Sequence, residues 1–243
     1  MVTHSFEDYL QEANGANTPR ALFDVFIKTM SAYGYDKILF GLATDHNDIG
    51  IKAGIGIIQN YPNDWMKYYH EHSFHKIDPI ITYGVHQIEA FAWSDISKRV
   101  KLRKAQLQCL DLSAEAGLYN GLTVPLKGNS NQIAGLSLAS SEKKDACYFH
   151  ADLLTAYCNH FYVAYKRLHQ RNGIQQRNVI LTAREKEVLT WAAVGKDNND
   201  IGYALNISKH TVNMIFRTIY RKLEANNRTL AVVKAITAGL IAI

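Results

Sequence analysis

The sequence has little cysteine: three residues in 243, Cys109, Cys147 and Cys158, widely spaced and in no ligand-like pattern. That count argues against a disulfide framework and against a zinc site, and it points to a reducing compartment. Long apolar runs are missing as well. Nothing approaches the ~20 residues of a membrane helix, and the stretch AVVKAITAGLIAI is interrupted by Lys234 and reads as a packed helix. MVTHSFEDYL carries no basic segment ahead of an apolar one, so it does not read as a signal peptide. There is no G-x-S-x-G elbow and no HExxH spacing, internal repeat or low-complexity segment. These absences leave the expectation of a cytoplasmic protein with no membrane partner, no metal, no cofactor and no enzymatic machinery.

What is there is an ordinary globular composition, 47% hydrophobic and 20% charged, in a chain long enough for two domains. The net charge of +5 is unevenly spread. Residues 166–243 hold 13 Lys/Arg against 5 Asp/Glu, a net of +8, whereas residues 1–165 hold 14 against 17, a net of −3. An acidic body with a basic tail assigns any contact with a polyanion to the tail. KRLHQRNGIQQRN, residues 166–178, has four positive charges, no acid and a central Gly173, and is the best linker candidate. The expected division is a first domain over 1–168, a linker over 169–178 and a second domain over 179–243.

Upstream of the linker, Thr18-Pro19 predicts an N-cap and first helical residue, opening a helix toward Tyr33. Short β-branched runs bounded by Gly or Asn predict strands over 37–43, 54–59, 120–126 and 133–140. Longer helices are predicted over 97–118 and 145–168. Strands in neighbouring pairs with helices at the edges predict an antiparallel sheet between helical layers. Downstream, everything reads as helix. Thr182 and Glu185 fit a capping box, and the helix they open stops at Gly195. Helices over 198–205, 209–223 and 229–240 follow, with a tight turn at Asn206-Ile207-Ser208. The fold class expected is α+β: an N-terminal α/β/α sandwich with an antiparallel sheet, and an all-α C-terminal domain of four helices.

A short helix, a three-residue turn and a two-faced second helix make a helix-turn-helix pattern. Val212, Ile215, Phe216, Ile219 and Leu223 form one apolar stripe. His210, Asn213, Arg217 and Arg221 fall on the other side, where Arg and Asn can chelate guanine and adenine edges. Lys196 and Lys209 sit near helix ends, suited to phosphates. One amphipathic helix would not distinguish a DNA reader from a solvated face; the turn, the neighbouring helices and the +8 balance do.

The tail, LTAREKEVLTWAAVGKDNNDIGYALNISKHTVNMIFRTIYRKLEANNRTLAVVKAITAGLI, resembles the C-terminal domain of LuxR-type transcription regulators over its whole length and without a gap. Glu185, Leu189 and Gly195 match the family's near-invariant acid, Leu and Gly. The resemblance implies base-facing positions for Asn213 and Arg217. One departure is Ile215, where many members have His.

The input to such a tail is left to the first domain. A phosphorylated receiver needs clustered acids at strand ends; Asp45 and Asp48 end one predicted strand, but the alternating α/β rhythm is missing. WMKYYHEHSFHKIDP, residues 65–79, offers three histidines, yet His70, His72 and His75 do not converge on a helix and read as solvated. Tyr61, Trp65 and Tyr69 recur every four residues on one predicted helical face, and with Asp78 and Trp93 they make a set of large residues with polar tips. Taken singly, each has a plain reading: an aromatic stripe as core, Asp78-Pro79 as an N-cap and first helical residue, Trp93 as packing on the sheet. Taken together, they suit a small-molecule pocket.

Trp65, Tyr69, Asp78, Pro79, Trp93 and Gly121 match, at the family's spacings, the set found in LuxR-type receptors for N-acyl-homoserine lactones. That resemblance implies that the Trp65 N–H donates to a lactone carbonyl, Asp78 accepts from the ligand amide and Tyr61 binds the acyl carbonyl. Tyr69 and Trp93 would line the cavity by packing, and Ser137 would help hold the amide. Met66, Phe74, Ile80 and Phe91 are candidates for shaping the acyl end. The partners implied are an N-acyl-homoserine lactone, a second copy of the chain, double-stranded DNA bearing an inverted repeat with half-sites ~10 bp apart, and RNA polymerase. Two rival readings are a constitutive DNA-binding regulator with an aromatic core and an enzyme processing acylated lactones or amides.

Overall fold

Ser5 and Asp8 reciprocally cap the first helix, α1 (Phe6–Gly15), which the sequence reading leaves unassigned. Thr18 then accepts from the Ala21 N–H and Pro19 takes the first helical position of α2 (Pro19–Ser31), as its sequence predicts. The computed structural model describes residues 5–129, 131–143, 150–171 and 179–242, which form two compact units, the second beginning after α7 (Ala151–Arg171). Cys147, the start of the helix predicted over 145–168 and most of the expected linker, 172–178, lie outside the described residues.

The described residues of the first unit include five strands: β1 (Lys37–Leu42), β2 (Gly54–Gln59), β3 (Phe91–Ala92), β4 (Tyr119–Lys127) and β5 (Ile133–Ser140). Their order is β2-β1-β5-β4-β3 and every pair is antiparallel. Side chains alternate between the two faces along each strand. Ile38, Phe40, Leu122, Val124, Leu136 and Leu138 point one way and share a core with Tyr9 of α1, Phe23 and Phe26 of α2, and Tyr157 and Phe161 of α7. Leu39 points the other way, toward a second cluster formed by α3 (Asn63–Glu71), α4 (Pro79–Gly84), α5 (Trp93–Arg99) and α6 (Lys104–Glu115). The unit is therefore the expected sandwich.

Two local expectations are corrected. The helix predicted over 97–118 is two helices: Val100 adopts an extended conformation after α5, and extended Arg103 starts α6, its N–H donating to the Gln106 side chain at 3.1 Å. Tyr61 is not on the helical face of Trp65 and Tyr69, because Pro62 is the N-cap residue of α3 and leaves Tyr61 in the preceding loop.

The described residues of the second unit form four helices: α8 (Ala183–Ala193), α9 (Asn198–Ala204), α10 (Lys209–Leu223) and α11 (Arg228–Thr237). The predicted capping box opens α8, with the Glu185 N–H donating to Thr182 Oγ1 and the Thr182 N–H to Glu185 Oε2. Burial favours the neutral Glu185, but the Lys222 ammonium at 2.7 Å and the Thr182 N–H outweigh it and hold the carboxyl below its usual range. Between α9 and α10, Asn206 takes positive φ (52°), and Gly202 lets the turn close in: a Cβ there would lie 2.7 Å from the Ile207 carbonyl. Val212, Phe216, Ile219 and Leu223 are buried as the stripe predicts, packing on Val188, Leu189 and Ile201; Ile215 is only partly buried.

Candidate functional site

Beneath α3–α6 the sheet leaves a cavity of about 480 Å³, solvent at its mouth included, lined by Tyr61, Trp65, Tyr69, Asp78, Trp93 and Ser137 among others. A second hollow of about 470 Å³ shares Leu39, Ile55, Ile80, Ile81 and Ser137 with it and extends over Gly41, Pro125 and Gly135. All six residues that the sequence singles out for a ligand thus line one site. Of the candidates for the acyl end, Met66 and Ile80 are in its wall, while Phe74 packs behind Trp65 and Tyr69 and Phe91 against Tyr83.

The polar groups are few and specifically arranged. Asp78 is only 7% exposed. It is the N-cap of α4, accepting from the Ile80 N–H at 2.8 Å, and it also accepts from the Tyr69 hydroxyl at 2.8 Å. Burial pushes its pKa up to about 6, against the Tyr69 hydroxyl and the Ile80 and Ile81 N–H groups, which favour the charged form. Tyr69 therefore does more than pack, and so does Trp93, whose indole N–H donates to Thr123 Oγ1 at 2.9 Å. Thr123 lies 3.0 Å from Ser137 Oγ. Thr123 accepts from Trp93, and either of the Thr123 and Ser137 hydroxyls can donate to the other, so the pair ties Ser137 to the Trp93 indole. The Tyr61 hydroxyl is buried with no hydrogen-bond partner among the described residues. The site thus presents one buried hydroxyl without a partner among the described residues, together with one buried carboxylate, in an otherwise apolar hollow.

Gly121 makes the Trp93 position possible: a Cβ there would fall 2.0 Å from the indole. The sequence reading misses Thr123, Ile55, Ile81, Cys109 and the two strand glycines in the wall. Alternation along 37–43, 120–126 and 133–140 carried the signal for Gly41, Thr123 and Gly135, but only the strand pairing shows which face is which. The rival features resolve differently. His70, His72 and His75 are exposed, and no group of three His, Cys, Asp or Glu among the described residues could hold a metal ion. Asp45 accepts from Lys52 and the Ala53 N–H, and Asp48 pairs with Lys166 at 2.5 Å, so both acids serve structural ion pairs.

In the second unit, Ser208 caps α10 by accepting from the Thr211 N–H. Lys196, Lys209, His210, Asn213, Arg217 and Arg221 are all exposed, the last four along one side of α10. Two residues that periodicity could not reveal support this surface. Arg228 stacks on Phe216 at 4.9 Å, donates to Asn198 Oδ1 at 2.6 Å and donates to the Lys196 carbonyl. Asn198 in turn donates to Asn213 Oδ1 at 2.6 Å, fixing that side chain at the surface. No helix among the described residues is long and apolar enough to cross a membrane.

Residues 18–164 match the model of the autoinducer binding domain, and residues 179–235 match that of the bacterial regulatory proteins of the luxR family. The transcriptional activator LuxR of Aliivibrio fischeri is 30% identical over 211 residues, covering 84% of this chain and 81% of that one. The quorum-sensing regulator RhlR of Pseudomonas aeruginosa is 27% identical, covering 91% and 90%. Among solved structures, Escherichia coli SdiA superposes with a TM-score of 0.70 at 21% identity, covering 98% of both chains. The luxR family matched is a family of regulatory proteins, not an enzyme family. Carrying an autoinducer-binding fold and a helix-turn-helix fold in one polypeptide, the chain belongs to the LuxR family of quorum-sensing transcriptional regulators.

Proposed function

We propose that the signal is an N-acyl-homoserine lactone held in the cavity beneath α3–α6. The observation that carries this reading is the buried Tyr61 hydroxyl, without a partner among the described residues, beside the buried Asp78 carboxylate in a largely apolar hollow. An unpaired buried donor costs roughly 1–3 kcal/mol, and an acyl carbonyl would satisfy it. The ligand amide N–H donates to Asp78, the Trp65 indole N–H donates to the lactone carbonyl, and Ser137 supports the amide. Tyr69 holds the Asp78 carboxylate in place, and Trp93 fixes the Thr123–Ser137 pair.

The ligand domain spans 1–168, the linker 169–178 and the reader 179–243. Two copies of the chain place two α10 helices on an inverted repeat. Asn213 and Arg217 read bases; Lys196, Lys209, His210 and Arg221 hold the backbone. RNA polymerase is the downstream partner. The test is expression with and without a mixture of acyl-homoserine lactones, followed by mass spectrometry of what copurifies and by DNA binding of the product. Selective recovery of a lactone, together with lactone-dependent binding to an inverted repeat, is expected. Equal DNA binding with nothing bound would favour a constitutive regulator, and steady consumption of lactone an enzyme.

A further inference from the structure

The ligand-side residues of the three central strands fall into cross-strand rows. Leu39, Ser137 and Thr123 form one row and Gly41, Gly135 and Pro125 the next. Ala43 and Ile133 follow, joined by a hydrogen bond from the Ala43 N–H to the Ile133 carbonyl. The first row borders the hollow that holds Asp78 and Tyr61; the later rows line its apolar extension. The middle row has no side chain but the proline ring, so the sheet carries a trough there.

Nothing in the backbone requires glycine at these two positions. Neither is among the residues with positive φ. A Cβ on Gly135 would meet only the Val124 carbonyl oxygen, at 3.8 Å, and one on Gly41 the Gly54 carbonyl oxygen at 3.4 Å and the Ile55 Cα and Leu39 Cδ2 at 3.7 Å, all ordinary contacts. Glycine inside a strand weakens it and often marks a place where something approaches the backbone closely. Here the glycines keep open a trough that any larger residue would fill.

Resting on the receptor reading above, we infer that the Gly41–Gly135 row is the floor of an acyl-tail channel, that the signal carries a medium-to-long chain, and that Gly135 determines which chain lengths fit. At ~3.3 Å of rise per residue, the four-residue step from Ser137 to Ile133 spans ~13 Å, the length of roughly ten extended carbons. A butanoyl chain would end near the first row and leave the apolar extension unfilled.

The experiment expresses the full chain, and its Gly135→Val and Gly135→Ala variants, with an equimolar set of N-butanoyl-, N-hexanoyl- and N-decanoyl-homoserine lactone. Each lactone retained per mole of purified protein is quantified by mass spectrometry. The wild type is expected to retain the decanoyl over the butanoyl lactone by about tenfold or more, the scale on which apolar pockets discriminate. Gly135→Val is expected to reverse that order with butanoyl retention kept, and Gly135→Ala to lie between. A wild type that prefers the butanoyl lactone overturns the inference and leaves the receptor reading intact. So does a soluble Gly135→Val protein with the wild-type profile. If Gly135→Val is insoluble with every lactone, Gly135→Ala decides: a shifted profile supports the channel floor and an unchanged one overturns it. Retention of no lactone by the wild type overturns the receptor reading itself, and this inference with it.

Discussion

The Asp78 carboxylate caps α4 and takes the Tyr69 hydroxyl, yet burial still lifts its pKa to about 6. In the proposed complex a ligand amide would donate to the ionised form, so protonation would compete with the ligand as pH falls through that value. Lactone affinity is expected to be about tenfold weaker at pH 5 than at pH 7, with proton release on binding near pH 6. Calorimetry in buffers of different ionisation heat reads both, and a flat affinity with no proton release would remove Asp78 as the amide's partner. Tyr61 makes the complementary case. Its hydroxyl has no partner among the described residues, so Tyr61→Phe should raise the stability of the ligand-free protein by about 1 kcal/mol and weaken lactone binding by a similar amount. Urea midpoints and lactone titrations separate the two effects; a variant that loses stability and keeps its affinity would reassign the hydroxyl to packing.

Helices and strands carry these residues, and elements differ in how far their sequence reveals them. The capping box of α8, the Thr18-Pro19 start of α2 and the apolar stripe of α10 were legible because their determinants are local, within one or two helical turns. The break between α5 and α6 was not, since it depends on Val100 and Arg103 adopting extended conformations that no Pro or Gly announces. The rows across β1, β5 and β4 were illegible for a different reason: alternation gives two faces, and only pairing between strands distant in sequence says which residues meet. Hence Asp78 and Trp65 could be singled out and Thr123 and Gly135 could not. Two substitutions test the element scale. Gly121→Ala puts a methyl 2.0 Å from the Trp93 ring, so it should cost about 3 kcal/mol in urea denaturation and weaken lactone binding; an unmoved midpoint would mean that Trp93 is not held there. Arg217 is exposed, and its guanidinium lies 3.8 Å from the Met214 sulfur. Arg217→Ala should therefore leave the midpoint within about 0.5 kcal/mol while costing about 1–3 kcal/mol of operator binding and relaxing site preference. Unchanged affinity and preference on a panel of operator variants would mean that α10 docks by another face.

At the scale of the molecule, the two units answer acid differently because they bury different groups. In the first unit, burial depresses the pKa of His46, His160 and His169. A depressed base favours the unfolded state as pH falls through its unfolded value of about 6.5, so these groups withdraw stability between pH 7 and 5. Asp78 acts in the opposite sense. With its folded pKa raised to about 6, its contribution is fully present below its unfolded pKa of about 3.9 and is lost as pH rises through 6; acidification restores it. In the second unit, Glu185 is held low by Lys222 and Thr182 despite its burial. Its contribution is present above its unfolded pKa of about 4.3 and is lost as pH falls through the lower folded value. Hydrogen-exchange protection factors of β5 and α10 amides, compared at pH 7, 5 and 3.5, read the units separately. Asp78→Asn removes the compensating acid, so β5 protection should fall more steeply from pH 7 to 5 in that variant than in the wild type. Protection in α10 should be the same in both proteins over that range and decline only toward pH 3.5. Parallel β5 profiles in the two proteins would show that Asp78 does not titrate there, and α10 protection that holds at pH 3.5 would show that the Glu185–Lys222 pair adds nothing to the reader's stability.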